Sequence, residues 1–129
     1  MAGPRRQDPI ARLFGEFADT LGHESWRPAV DVYETEKAVV VQVELAGVRR
    51  EDLKVSVDGG LLRIRGVRDP GRDEGIERLH QVEIASGPFE RALEIPIPFD
   101  HDQVSARIED GFLRVVLRKQ EPSRIRVEG

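Results

Sequence analysis

The stretch Val104-Ser105-Ala106-Arg107-Ile108-Glu109-Asp110-Gly111-Phe112-Leu113-Arg114-Val115-Val116-Leu117 decides the fold. Val104, Ala106 and Ile108 alternate with polar residues, and after Asp110-Gly111 the alternation resumes at Leu113, Val115 and Leu117. A period of two places each set on one side of a strand. Asp-Gly is turn chemistry, so the stretch reads as a β-hairpin with one apolar face. A lone hairpin is not stable in water, and that face needs a partner layer.

The same period runs upstream to Pro28. Val30 and Val32 open a short strand, with a turn near Glu34–Lys37. Val39, Val41, Val43 and Leu45 share one face of the next strand, which Gly47 ends. Leu53, Val55 and Val57 form another set, closed by Asp58-Gly59-Gly60. Across that turn Leu62 and Ile64 alternate with Arg63 and Arg65. Asp69–Gly75, rich in charge, Gly and Pro, predicts a mobile loop. Ile76–Ile84 alternates weakly and reads as a short, irregular or edge strand. Ser86-Gly87-Pro88 is a turn, and Phe89–Ile95 is a strand stopped by Pro96 and Pro98. About seven or eight short strands with no helix among them predict an antiparallel all-β domain over 28–119. Two packed sheets are the natural way to bury its apolar faces, with a small closed barrel as the competitor that periodicity does not separate from them.

Two segments flank this domain, 1–27 and 120–129. Asp8-Pro9 suits a helix start, and Ile10, Leu13, Phe14, Phe17, Ala18 and Leu21 then recur at helical spacing up to Gly22. A helix over 9–21 is too short to stand alone, so its stripe covers its own domain, packs on other subunits or binds apolar surfaces transiently. At the other end Ile125 and Val127 lie two apart among Arg124, Arg126 and Glu128. In an extended tail both project to one side. They are either incidental to a frayed end or docking residues that insert along an exposed sheet edge.

Composition narrows the function. The 129 residues hold 20 Lys and Arg against 24 Asp and Glu, a net charge of -4, which argues against a nucleic-acid surface. No apolar run approaches the roughly 18 residues that cross a bilayer. The polar start, Met1–Arg6, lacks the apolar core of a secretory signal, and a cytoplasmic location is expected. With no cysteine, disulfides, thiolate catalysis and cysteine-held metals are excluded.

Candidates for catalysis are sparse. His23, His80 and His101 lie in separate regions without metal-ligand spacing, and Asp100-His101-Asp102 reads as a surface loop after two prolines. Asp58-Gly59-Gly60 lacks the lysine and hydroxyl of a phosphate loop. The expectation is a protein that is not an enzyme and needs no cofactor or metal. Arg63, Arg65 and Arg68 form a cationic stripe diluted by nearby acids. Arg91 differs, because it shares strand parity with Phe89, Leu93 and Ile95. A guanidinium on an apolar face must meet an interface, or be paired with a carboxylate and carbonyls, since an unpaired buried charge is costly.

These residues resemble the small heat shock proteins, of bacterial type, built on the alpha-crystallin domain. Ala106-Arg107-Ile108-Glu109-Asp110-Gly111-Phe112-Leu113 is similar to the family signature. So are Arg27–Glu34, Val43–Val48 followed by Glu51-Asp52-Leu53, Gly87–Arg91, and Ile95-Pro96 with Phe99-Asp100. Ala46 stands where the family often has Pro, and Asp110 where Asn is commoner. The resemblance implies an immunoglobulin-like antiparallel β-sandwich, with a short N-terminal helical arm and an extended C-terminal tail. It implies that Ile125 and Val127 dock on another subunit, in a groove lined by Leu53, Val55 and Val57 and by Val104, Ala106 and Ile108. It puts Arg91 at a dimer interface, and places between Val67 and Phe89 the segment that bacterial and plant members exchange between partners. The implied function is an ATP-independent holdase that binds partly unfolded clients, with Ile10, Leu13, Phe14, Phe17 and Leu21 as client-binding arm. The implied assembly is a homo-oligomer built from dimers. A non-catalytic co-chaperone or scaffold on the same sandwich is the competing expectation, with no nucleic-acid or membrane partner in either case.

Overall fold

Seven strands form because apolar residues recur at alternate positions between turn formers. In the computed structural model, which describes residues 26–121 and 125–129, they are β1 (Val30–Glu34), β2 (Ala38–Glu44), β3 (Leu53–Asp58), β4 (Leu61–Arg68), β5 (Gly87–Glu94), β6 (Phe99–Glu109) and β7 (Phe112–Lys119). A single 3-10 turn, Arg50–Asp52, precedes β3. The predicted helix over 9–21, with its stripe Ile10, Leu13, Phe14, Phe17 and Leu21, lies outside the described residues.

The strands pair antiparallel into two sheets, ordered β1-β2-β7-β6 and β3-β4-β5. Of the two architectures open to the sequence, the sandwich is therefore the one adopted. β2 is central, with Val41 opposite Val32 on one side and Val115 on the other. Val39, Val41 and Val43 with Leu113, Val115 and Leu117 supply one wall of the core, and Leu62, Ile64 and Phe89 supply the other. Leu45 and Ile95, at the two crossings between sheets, are buried with them. Burying a Val or Leu side chain contributes about 1.5–3 kcal/mol, so this aliphatic core drives folding despite few aromatics.

The deciding hairpin folds as read. Asp110 and Gly111 both have positive φ, 53° and 82°, the requirement of a two-residue turn whose twist matches its strands. The tip is fastened to the crossing after β2, because Leu45 N–H donates to the Gly111 carbonyl at 2.8 Å.

Three expectations are corrected, the first being the turn at Ser86-Gly87-Pro88, whose Gly87 and Pro88 instead open β5 opposite Arg68 and Val67. Asp100-His101-Asp102 is not a loop but the early part of β6. Phe99 is buried beneath the sheet and pairs with Lys119, which starts the strand before the charged triplet. A register shift between Phe99 and Val104 absorbs the extra residues. Conversely, Ile76–Ile84 forms no strand. Residues 69–86 run without regular structure, and Ile76, Leu79, Val82 and Ile84 are all exposed. Among the described residues no strand pairs with them to complete a ladder, so their weak alternation gains nothing from pairing.

Candidate docking groove and interface arginine

β3 and β6 are edge strands, one in each sheet. Leu53, Val55 and Val57 face inward opposite Gly66, Ile64 and Leu62, while Lys54, Ser56 and Asp58 face solvent. Val104, Ala106 and Ile108 face inward opposite Leu117, Val115 and Leu113. All but Ala106 pack on the core and remain only half-buried, whereas Ala106 is exposed. The two edges are tied at one end, where His101 Nε2 lies 2.6 Å from the Gly59 carbonyl. Two aliphatic rows thus flank the same core along one side of the sandwich, neither covered by the described chain. Ile125 and Val127 are 86% and 90% exposed.

The opposite side carries Arg91. It sits on β5 across from Ile64, and its Nη1 donates to the Pro28 carbonyl at 2.8 Å. Its Nε is buried without a hydrogen-bond partner, and no ion pair to Arg91 occurs among the described residues. Burial pushes the Arg91 guanidinium below its ordinary range, and the nearby Arg27 adds to the shift. The parity argument placed Arg91 on the inward face, and the structure supplies a carbonyl there but no carboxylate. Of the five guanidinium N–H donors, the Nε–H is buried and finds no acceptor among the described residues. β1, the neighbouring edge, exposes Val32 and Tyr33.

Nothing converges on catalytic chemistry among the described residues. His80 lies exposed in the 69–86 segment, and His101 stacks on Phe99 at 4.6 Å. Asp100 is engaged locally, its Oδ1 accepting from Asp102 N–H at 2.9 Å. No group of three or more potential metal ligands occurs among the described residues. No helix of the described residues is long and apolar enough to cross a membrane.

A sandwich of this strand order, with half-covered edges and an aliphatic pair in the tail, has a counterpart among known families. Residues 31–128 match the Hsp20/alpha crystallin family. The chain belongs to that family. Among curated proteins it is 33% identical over 114 residues to Spore protein SP21 of Stigmatella aurantiaca, covering 86% of this chain and 68% of that protein. It is 29% identical over 99 residues to Small heat shock protein C2 of Rickettsia felis, covering 77% and 64%. The chain therefore spans about two thirds of the length of such relatives. Among solved structures, Heat shock protein 16.0 from Schizosaccharomyces pombe superposes with a TM-score of 0.67 at 35% identity, over 81% of this chain and 100% of that one. A small heat-shock protein from Xylella fastidiosa, described as having a distinct high order structure, gives 0.69 at 29% identity over 82% and 100%. The match confirms the family and the alpha-crystallin sandwich expected from the signature Ala106–Leu113 in this small heat shock protein.

Proposed function

We propose that this small heat shock protein is an ATP-independent holdase, working in the cytoplasm as a homo-oligomer built from dimers. The observation that carries the reading is that one chain displays both halves of a docking contact. Half-covered aliphatic rows line β3 and β6, and Ile125 and Val127 stand exposed in the tail. In the assembled state the tail of one subunit covers the rows of another. Its release presents apolar surface to a partly unfolded client, and the dense mixed charge keeps the complex dispersed. The apolar residues of the N-terminal arm, Phe14 and Phe17 among them, add client-binding surface. Arg91 and the exposed β1 edge form the dimer contact, completed by the partner's 69–86 segment, whose Ile76, Leu79, Val82 and Ile84 are uncovered here. Every step is binding and release, so no nucleotide, metal or covalent chemistry enters the mechanism.

The test is light scattering from a heat-labile client at stoichiometric ratio, without ATP. Suppression of scattering is expected. Unchanged scattering together with a monomeric native mass would instead favour a scaffold module that binds a folded partner.

A further inference from the structure

At the end of the sandwich away from the turn after β3, one cation joins segments that are far apart in sequence. Arg68, the last residue of β4, holds its guanidinium 4.1 Å from the centre of the Trp26 ring. Its Nε and Nη2 both donate to the Ala85 carbonyl, at 2.9 and 2.6 Å, and its Nη1 donates to the Ala46 carbonyl at 3.1 Å. Trp26 in turn donates from Nε1 to the Gly87 carbonyl at 2.9 Å and meets the Phe89 ring edge-on at 5.2 Å. Trp26 is where residues 1–25 join the sandwich, and Ala85 is where the 69–86 segment returns to β5.

We propose that Arg68 is a positioning residue that couples the attachment of the N-terminal segment to the root of the 69–86 segment. Every one of these partners is a neutral group, either a carbonyl or an aromatic face. Only a planar guanidinium can spread donors over two carbonyls while lying against a ring; an ammonium has the charge but not the fork. The fork on Ala85 fixes the guanidinium in place, and the guanidinium with Gly87 fixes the indole. Drawing Ala85 away therefore frees the cation from Trp26, and lifting Trp26 removes one constraint on Arg68 and on the start of β5. Such coupling is reciprocal by linkage, so a perturbation at either end must register at the other. The 69–86 segment lies outside the two sheets, and this junction gives its root and Trp26 a common anchor that the β-ladders do not provide.

Trp26 is the single tryptophan, so its fluorescence reports the junction alone. The loop end is read by a glutamate-specific protease. Cutting after Glu83 requires Ala85 to leave the fork, whereas Glu74 lies far along the exposed segment and serves as the internal reference. In the full-length Arg68→Met variant, acrylamide quenching of Trp26 should rise about twofold, and cleavage at Glu83 relative to Glu74 about tenfold, because cleavage follows the open fraction. Arg68→Lys should raise the Glu83 ratio as much while quenching rises less, since a cation can still meet the ring. Trp26→Phe should raise the Glu83 ratio without any change at position 68. The proposal is overturned by parent-like quenching or a parent-like ratio in Arg68→Met, by an unchanged ratio in Trp26→Phe, or by equal acceleration at Glu74 and Glu83. Should Arg68→Met lack the far-ultraviolet β signature, Arg68→Lys decides the matter by both readings and Trp26→Phe by the Glu83 ratio.

Discussion

Gly66 shows how narrowly the inner face of β4 is built. A Cβ there would come within 2.5 Å of the Asp52 carbonyl oxygen and 2.9 Å of the Phe89 ring. One contact is backbone and the other a fully buried aromatic, so neither yields cheaply. Gly66→Ala should lower stability by about 1–3 kcal/mol, seen as a lower urea midpoint at unchanged slope. A midpoint within error of the parent would show that the Asp52 backbone and the Phe89 ring can both give way at no cost. Arg91 makes the opposite case, a large polar side chain where an apolar one would pack. Arg91→Ala should shift the native mass distribution towards smaller species and lower the melting temperature. If mass, melting and client protection all stay at parent values, Arg91 has no part in the dimer contact. Its inward orientation was legible from parity with Phe89 and Leu93. The carbonyl it finds, on Pro28, was not, because strand periodicity says nothing of residues 63 positions apart.

The strands were legible wherever alternation and turn chemistry agreed, as in the Asp110-Gly111 hairpin and in the Leu53–Val57 row. They were misread where a single buried residue overrides its neighbours. Phe99 commits Asp100–Gln103 to β6 although prolines and charges around it spell a loop. Ile76–Ile84 failed for the converse reason, since a strand forms only where it is paired and no strand among the described residues pairs with this segment. The proposed groove is likewise a property of two edges brought together. Ala106 lies within it, is exposed, and holds up no part of the core. Ala106→Glu should therefore leave the melting temperature within a few degrees of the parent while native mass falls towards dimers. The same fall is expected when Ile125 and Val127 are both changed to Ala. A drop in the tail variant with none in Ala106→Glu would move the docking site away from β6.

At the scale of the whole molecule, the proposed function divides the work between the sandwich and the segments that flank it. A chain starting at Trp26 should keep its β signature and melting behaviour but protect a heat-labile client less well. Equal protection by the shortened chain would transfer client binding to the sheet edges. The sandwich leaves β6 open along its length, and an open edge invites unlimited pairing with other strands. The register shift between Phe99 and Val104 interrupts that edge. Only Val104–Glu109 continues in unbroken register with β7, which is room for a short extended guest and too little for a long flat one. In polymer terms the bulge acts as a chain stopper. It lets the edge accept a peptide of a few residues while denying it the role of a seed, so that a protein proposed to oppose aggregation does not template it.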